Sequence, residues 1–225
     1  MEEQFLIMDA TPVVTFYFDP VSPYAWLAAN ALARIEAASA QIVFQPVLFA
    51  GLLNAHANIG PAEIPAKRAY IFRDVMRQAA GAGLAFKGPP GHPFNPLQAL
   101  RMCLALTRQD ERRRFALAVM KACWEGGEDV SDAAVLLRVA ASCGLSGPAL
   151  QSAAQQPAIK MQLAADTEKA IAGGVFGVPT FRVGSELFWG GDRIDALIRH
   201  LQGKRIDEQA LADFLAKAPL AERKR

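Results

Sequence analysis

The chain has 225 residues, of which 52% are hydrophobic and 20% are charged, a composition typical of a folded globular protein and not of a disordered one. The formal net charge is +2 at pH 7, and the densest basic cluster, Arg112-Arg113-Arg114, lies among helix-forming and acidic residues. Nucleic-acid binding would require a basic stripe with interleaved aromatic side chains, which the sequence lacks.

The N-terminal segment and the cysteines indicate a cellular compartment. Residues 1–12 contain Glu2 and Glu3 and only a short apolar run, so they do not resemble a secretory signal. No apolar run is long enough to span a bilayer. The three cysteines form no Cys-x-x-Cys pair and fall within helical sequence, which predicts buried thiols and no disulfide framework. We expect a soluble cytoplasmic protein with a frayed N-terminal extension.

The first fifty residues predict a strand, a helix and a second strand. Residues 13–18 are β-branched and aromatic without a breaker, as in a buried strand. Ser22 and Pro23 occupy the positions preferred at a helix start, and an Ala- and Leu-rich helix is expected over 24–39. Residues 42–49 predict the second strand. The chain therefore opens with a βαβ unit of parallel strands.

The middle of the chain predicts helices separated by loops. Loops are expected over 52–64 and over 88–93, where glycine and proline break regular structure. Helices are expected over residues 66–82, 96–105, 110–124, 132–142 and 157–172.

The last third predicts a return to strands. Residues 175–183 and 186–189 flank a glycine-containing turn and predict a hairpin, followed by helices over 193–201 and 207–216. This order indicates an α/β architecture with an all-helical insertion. The predicted domains are 13–50 plus 175–203 as the α/β unit, 51–174 as the helical insertion, and 1–12 and 204–225 as terminal extensions.

Three segments are candidates for chemistry, although each taken alone favours a structural interpretation. Ser22 places a hydroxyl at a helix start, where N–H groups and the helix dipole stabilise an anion such as a thiolate, but it also suits an ordinary N-cap. Pro179 either follows a cis bond that leaves the Val178 backbone available to a ligand or simply begins a strand. In residues 189–193 the glycines permit close approach of a ligand, and Asp192 suits an ammonium group or a helix cap.

In this order and spacing, the three segments resemble the thioredoxin superfamily, and the helical insertion resembles the branch that includes the disulfide oxidant DsbA. Ser22-Pro23-Tyr24-Ala25 falls where that branch has Cys-x-x-Cys, so dithiol exchange at this position is excluded. A leading serine resembles the 2-hydroxychromene-2-carboxylate isomerases and kappa-class glutathione transferases. Residues 18–24, 175–181 and 188–193 look like that family's signatures, and the resemblance extends from about residue 13 to residue 201. It implies a thioredoxin-like fold with an all-helical insertion domain.

The resemblance also implies glutathione as the cofactor. Ser22 would donate a hydrogen bond to its sulfur and favour the thiolate, while the Val178 backbone would pair with the cysteinyl part. Lys67 would face the glycyl carboxylate and Asp192 the γ-glutamyl ammonium, with an exposed helix residue as the alternative for Lys67. The full set of implied cofactor contacts is Ser22, Asn58, Lys67, Val178, Gly191, Asp192 and Arg193.

The implied reaction begins with thiolate addition to a conjugated substrate, continues with rotation about the former double bond, and ends with expulsion of unconsumed glutathione. The substrate would be a small aromatic carboxylate from aromatic-compound catabolism. Asn95, Arg101 and Trp124 are candidates for its binding wall, with core packing as the alternative for Trp124. Near Leu53, where the isomerases bind substrate, this chain keeps no basic residue, which leaves the substrate open.

The sequence is also compatible with other functions. A kappa-type transferase or peroxidase would consume glutathione, a non-catalytic domain would bind it without turnover, and a disulfide oxidoreductase is disfavoured by Ser22 and Ala25. A homodimer is implied by the resemblance alone. No metal site is expected, because His56 and His92 lie in loops without other ligands at suitable spacing, and His200 is expected to favour a helix C-terminus.

Overall fold

The computed structural model of the chain describes residues 11–221, so most of the predicted N-terminal extension lies outside the described residues. Its strands form one sheet in the order β2-β1-β3-β4. β1 pairs in parallel with β2 and antiparallel with β3, which confirms the predicted βαβ opening. The strands are β1 (Val13–Phe18), β2 (Gln41–Pro46), β3 (Thr180–Val183) and β4 (Glu186–Trp189).

Helices fill the connections between these strands. Two lie between β1 and β2, seven lie between β2 and β3, and two follow β4 in the described part of the chain. Short 3-10 turns precede α4 and α10. The helices are α1 (Pro23–Ala29), α2 (Leu32–Glu36), α3 (Phe49–Ala55), α4 (Pro65–Gly81), α5 (Leu97–Ala105), α6 (Gln109–Trp124), α7 (Ala133–Ser142), α8 (Gly147–Gln155), α9 (Pro157–Ala172), α10 (Ile194–Leu201) and α11 (Glu208–Leu215).

Several element boundaries differ from the sequence-based expectation. The helix expected over 24–39 is divided at Asn30, the C-cap of α1, whose side-chain amide donates at 3.0 Å to the Trp26 carbonyl that also accepts the Asn30 N–H. β2 stops at Pro46, which has no N–H to donate. α3 then occupies part of the expected strand and loop. The unpredicted α8 begins at Ser146, whose hydroxyl accepts the Ala149 N–H.

Aromatic side chains fix the central strand in the core. Phe16, Phe18, Phe44 and Phe181 are all 0% exposed. The Phe16 ring stacks on Phe18 at 5.5 Å and on Phe181 at 5.1 Å between centroids. Because alternate residues of a strand share a face, this packing holds β1 along its length and fixes where its carboxyl end emerges.

The insertion packs directly on the helix that follows β1. Trp26 of α1 and Trp124 of α6 are both almost completely buried, with ring centroids 6.5 Å apart. This contact ties the start of α1 to the helices between β2 and β3. Within residues 11–221 no helix combines the length and the apolar character that crossing a membrane requires.

Candidate functional site

Ser22 lies where the chain passes from β1 into α1. Its backbone is extended, with φ −89° and ψ 116°, and its Oγ accepts the Ala25 N–H at 3.2 Å. The hydroxyl also reaches the carbonyl oxygen of Val178 at 3.4 Å. The side chain is therefore an N-cap and, at the same time, the neighbour of the segment that precedes β3.

The Val178–Pro179 peptide is cis, one of the two interpretations that the sequence left open. The Pro179 carbonyl accepts the Gly190 N–H at 2.9 Å, which attaches this segment to the turn after β4. Among the described residues the Val178 N–H has no protein acceptor. A backbone donor and a carbonyl thus stand beside Ser22 without a strand partner, an arrangement suited to a peptide-like ligand.

A cleft of about 460 Å³ opens beside Val178 and Pro179. On its α4 side, the Asp74 carboxylate accepts hydrogen bonds from the Tyr24 hydroxyl and the Gln78 amide, both at 2.8 Å. Burial, together with the hydrogen bond to Asp74, raises the pKa of Tyr24, so this phenol remains a neutral donor. The cleft is lined by Tyr24, Leu27, Ala28, Ala31, Asp74, Gln78, Ala82, Val178, Pro179, Trp189, Gly190, Gly191, Asp192 and Arg193.

The turn after β4 forms the opposite wall of the cleft. Gly190 has φ +102°, a conformation that favours glycine. At Gly191 a Cβ would stand 3.3 Å from the Ala28 Cβ, so the turn approaches α1 closely. The exposed Asp192 and Arg193 side chains form an ion pair at 2.8 Å. Because such exposed pairs contribute little free energy, the Asp192 carboxylate can accept another cation.

Three of the implied cofactor residues do not line this cleft, and one of them is Ser22, which is buried next to the lining residue Val178. Asn58 follows α3 and Lys67 lies in the first turn of α4, and both are exposed. Conversely, Asp74 and Gln78 line the cleft although the sequence interpretation did not name them. Their i, i+4 spacing on a predicted helix marks them as one polar face, but nothing local shows that this face turns toward the cleft.

The three candidates for the substrate wall lie outside the cleft lining. Asn95 is exposed and accepts the Leu97 N–H at the start of α5. Arg101 is half-buried, and its Nε has no acceptor among the described residues. Trp124 is 0% exposed and donates to the Pro20 carbonyl at 3.0 Å. The burial of Trp124 favours the core-packing alternative.

A buried carboxyl lies behind the serine. Asp19 is 0% exposed and accepts the N–H groups of Val21 and Phe49, both at 2.9 Å. Burial raises the pKa of Asp19 to about 7, although the two N–H groups oppose this change. Asp19 thus connects the loop before Ser22 to the start of α3.

Comparison with known proteins identifies the fold family. The sequence profile of the DSBA-like thioredoxin domain matches residues 13–202. The chain belongs to this family. A 2-hydroxychromene-2-carboxylate isomerase from Sphingobium xenophagum is 29% identical over 196 residues, covering 85% of this chain and 98% of the relative. Human glutathione S-transferase kappa 1 is 24% identical over 207 residues, covering 85% and 91%.

Structural similarity agrees with this assignment. A solved 2-hydroxychromene-2-carboxylate isomerase superposes on the chain with a TM-score of 0.79 at 23% identity, covering 91% of this chain and 100% of the other. The comparisons confirm the thioredoxin-like fold with its helical insertion and the resemblance to isomerases and kappa-class transferases.

This DSBA-like domain brings no reactive sulfur to the site. Ser22 and Ala25 occupy the two positions where the resemblance described above places a Cys-x-x-Cys pair, and the three cysteines are buried elsewhere, as predicted. Burial raises the pKa of Cys103 to about 12 and also raises the pKa values of Cys123 and Cys143. In residues 11–221 no three His, Cys, Asp or Glu side chains are grouped to hold a metal ion.

Proposed function

We propose that the protein is a glutathione-dependent isomerase of the 2-hydroxychromene-2-carboxylate type, acting by reversible thiolate addition and cis-trans isomerisation in aromatic-compound catabolism. The observation that carries this proposal is the Ser22 hydroxyl, placed at the start of α1 and 3.4 Å from the Val178 carbonyl. The isomerases and glutathione transferases among the relatives support an enzymatic role. When bound, glutathione would supply the nucleophilic sulfur.

The Ser22 hydroxyl is suited to stabilise a thiolate. Its distance of 3.4 Å to the Val178 carbonyl exceeds the roughly 2.5–3.0 Å of a good O–H···O bond, so its proton is held weakly. The Ala25 N–H fixes the oxygen from the other side. The hydroxyl can therefore turn its proton to an incoming sulfur without leaving its cap. This donor and the positive end of the α1 dipole both lower the pKa of a thiol.

The remaining contacts proposed for glutathione fit a γ-glutamyl tripeptide. The Val178 N–H and carbonyl suit the cysteinyl backbone, since the N–H has no acceptor among the described residues. Asp192, with Gly191 and Arg193, would hold the γ-glutamyl end, where an ammonium group meets the carboxylate. Asn58 and Lys67 would bind the glycyl end from outside the cleft lining.

For the substrate we propose a small aromatic carboxylate. Arg101 is the favoured wall residue, because its guanidinium has an Nε without an acceptor in the described part of the chain and suits a carboxylate. Asn95 would contribute its side-chain amide. Trp124 is buried and would support the site only indirectly, by donating a hydrogen bond to the Pro20 carbonyl. A homodimer and a cytoplasmic location remain proposals, the second resting on three unpaired buried cysteines.

The decisive experiment is a calorimetric titration of the purified protein with reduced glutathione, followed by a turnover assay on 2-hydroxychromene-2-carboxylate. We expect saturable binding, isomerisation that requires glutathione, and an unchanged glutathione concentration at the end of the reaction. Absence of any glutathione binding would overturn the proposal.

The kappa-class relatives favour a second candidate, a transferase or peroxidase that uses glutathione as a substrate. An electrophilic aryl halide or a hydroperoxide would then consume glutathione in proportion to product formed. Binding without either activity would instead favour a non-catalytic glutathione-binding domain.

A further inference from the structure

Two buried side chains and the half-buried His92 hold the backbone of the loop before Ser22. The Pro20 carbonyl accepts the Trp124 Nε1–H at 3.0 Å, and the Val21 carbonyl lies 2.9 Å from His92 Nε2. The Val21 N–H donates to Asp19 Oδ1 at 2.9 Å. Two of these three partners come from the helical segment between β2 and β3.

We propose that His92 is a positioning residue that fixes the orientation of Ser22. The Val21 carbonyl and the Ser22 N–H belong to one planar peptide unit, which also contains the Ser22 Cα. His92 holds the oxygen side of this plane at 2.9 Å, and the Asp19 carbonyl accepts the N–H side at 3.0 Å. Displacement or tilting of this plane would move the Ser22 Cα and with it the hydroxyl, so the two bonds together help to set the position of the Oγ.

The hydrogen-bond partners determine the tautomer of His92. A carbonyl oxygen only accepts, so Nε2 must carry the proton. Nδ1 is buried and has no partner among residues 11–221. Protonation would therefore create a buried N–H without an acceptor, and burial lowers the pKa of His92. The ring is neutral and donates through Nε2.

The surroundings leave the ring little freedom to turn. Its centroid lies 5.2 Å from that of Phe72, 5.6 Å from that of Trp124 and 6.4 Å from that of Phe94. The Arg68 guanidinium donates to the backbone carbonyl of His92 itself. The cation that faces His92 thus anchors its backbone and adds a further repulsion against imidazolium.

The catalytic consequence rests on the proposed function, and a variant series tests it. His92→Leu removes the donor, His92→Gln places an amide N–H near the position of Nε2, and His200→Leu makes the same change on α10, outside the cleft lining. We expect His92→Leu to raise the thiol pKa of bound glutathione by about one unit and to lower kcat/KM about tenfold or more, as misplacement of a reacting group does. His92→Gln should restore most of both quantities, and His200→Leu should change neither.

A second measurement does not depend on glutathione. Imidazole ¹⁵N NMR of the wild-type protein should show His92 as the neutral Nε2–H tautomer near pH 7. An Nδ1–H tautomer would overturn the proposal, as would a His92→Leu variant with the wild-type thiol pKa. If the wild-type protein binds no glutathione, the proposed function fails while the NMR result still decides the contact. If His92→Leu does not fold, the His92→Gln variant and the NMR measurement test the proposal instead. A folded His92→Gln variant in which bound glutathione no longer has the wild-type thiol pKa would also contradict it.

Discussion

The Ser22 hydroxyl lies 3.4 Å from the Val178 carbonyl oxygen, although 156 positions separate the two residues in the chain. The contact joins the end of β1 to the segment before β3, and it does so through the side chain that also caps α1. The Ser22 Oγ thereby caps α1 and, in the proposed function, stabilises a thiolate. Suitable substitutions distinguish these two roles.

Replacement of Ser22 tests both tasks. Ser22→Ala should lower the free energy of unfolding by about 1 kcal/mol, the usual contribution of an N-cap, whereas Ser22→Gly should cost only a few tenths of that. Both variants lack the hydroxyl and should raise the thiol pKa of bound glutathione and reduce turnover equally. Urea denaturation and thiolate absorbance would measure the two effects.

Ser146→Ala provides the matched control for this pair. Ser146 caps α8 by accepting the Ala149 N–H, and it lies outside the cleft lining. The variant should lose similar stability and retain full turnover. Wild-type activity in Ser22→Ala, with an unchanged thiolate titration, would show that Ser22 has no role in activating the thiol.

Asp192→Asn tests the site proposed for the γ-glutamyl ammonium. Loss of one charge-assisted hydrogen bond should weaken glutathione binding about tenfold or more, while the thiol pKa stays the same because the change is remote from the sulfur. Asp195→Asn, which breaks an exposed ion pair with Arg34, is the control and should bind normally. Equal affinities in calorimetric titrations of the two variants would place the ammonium elsewhere.

Lys67→Ala asks whether the cation at the start of α4 meets the glycyl carboxylate. We expect weaker binding of glutathione but unchanged binding of γ-glutamylcysteine, which lacks that carboxylate. Lys160→Ala removes an exposed lysine from α9 and should affect neither ligand. If Lys67→Ala binds both ligands like the wild type, Lys67 is an ordinary solvated helix residue.

Asp19 predicts a pH dependence of stability. Its pKa rises from the ordinary 3.8 to about 7 in the folded protein because the carboxyl is buried. Between these values the folded state retains a proton that the unfolded chain releases, so the free energy of unfolding falls as the pH rises, by on the order of a few kcal/mol. Denaturation curves across this interval should show a flatter dependence for Asp19→Asn. An identical slope in both proteins would mean that Asp19 is ionised throughout.

Regular structure followed from the sequence where local signals agreed. β1 and α9 have the predicted bounds, because an unbroken β-branched and aromatic run and a helix begun by Pro157 leave few alternatives. The helix over 24–39 was wrong as one element, since Asn30 diverts its side chain to the backbone. α8 was not predicted, although Ser146 and a following proline mark its start.

Only part of the candidate site could be predicted from the sequence. Ser22, Val178 and the turn at residues 190–193 were identified by their resemblance to a family, because none of them is distinctive alone. Asp74 and Gln78 were missed, since the direction in which α4 turns its polar face depends on packing across the insertion. The link from His92 to Val21 spans 71 positions, and no local pattern encodes a contact of that separation.

The burial of all three cysteines simplifies spectroscopic measurement of a bound thiol. Because Cys103, Cys123 and Cys143 are all buried and burial raises the pKa of each thiol, we expect the folded chain to contribute little background to thiolate absorbance or to disulfide dyes. Any such signal that follows addition of a tripeptide thiol would come from the sulfur atom of that ligand. Its titration could then be followed in the wild-type protein, without replacing a single cysteine.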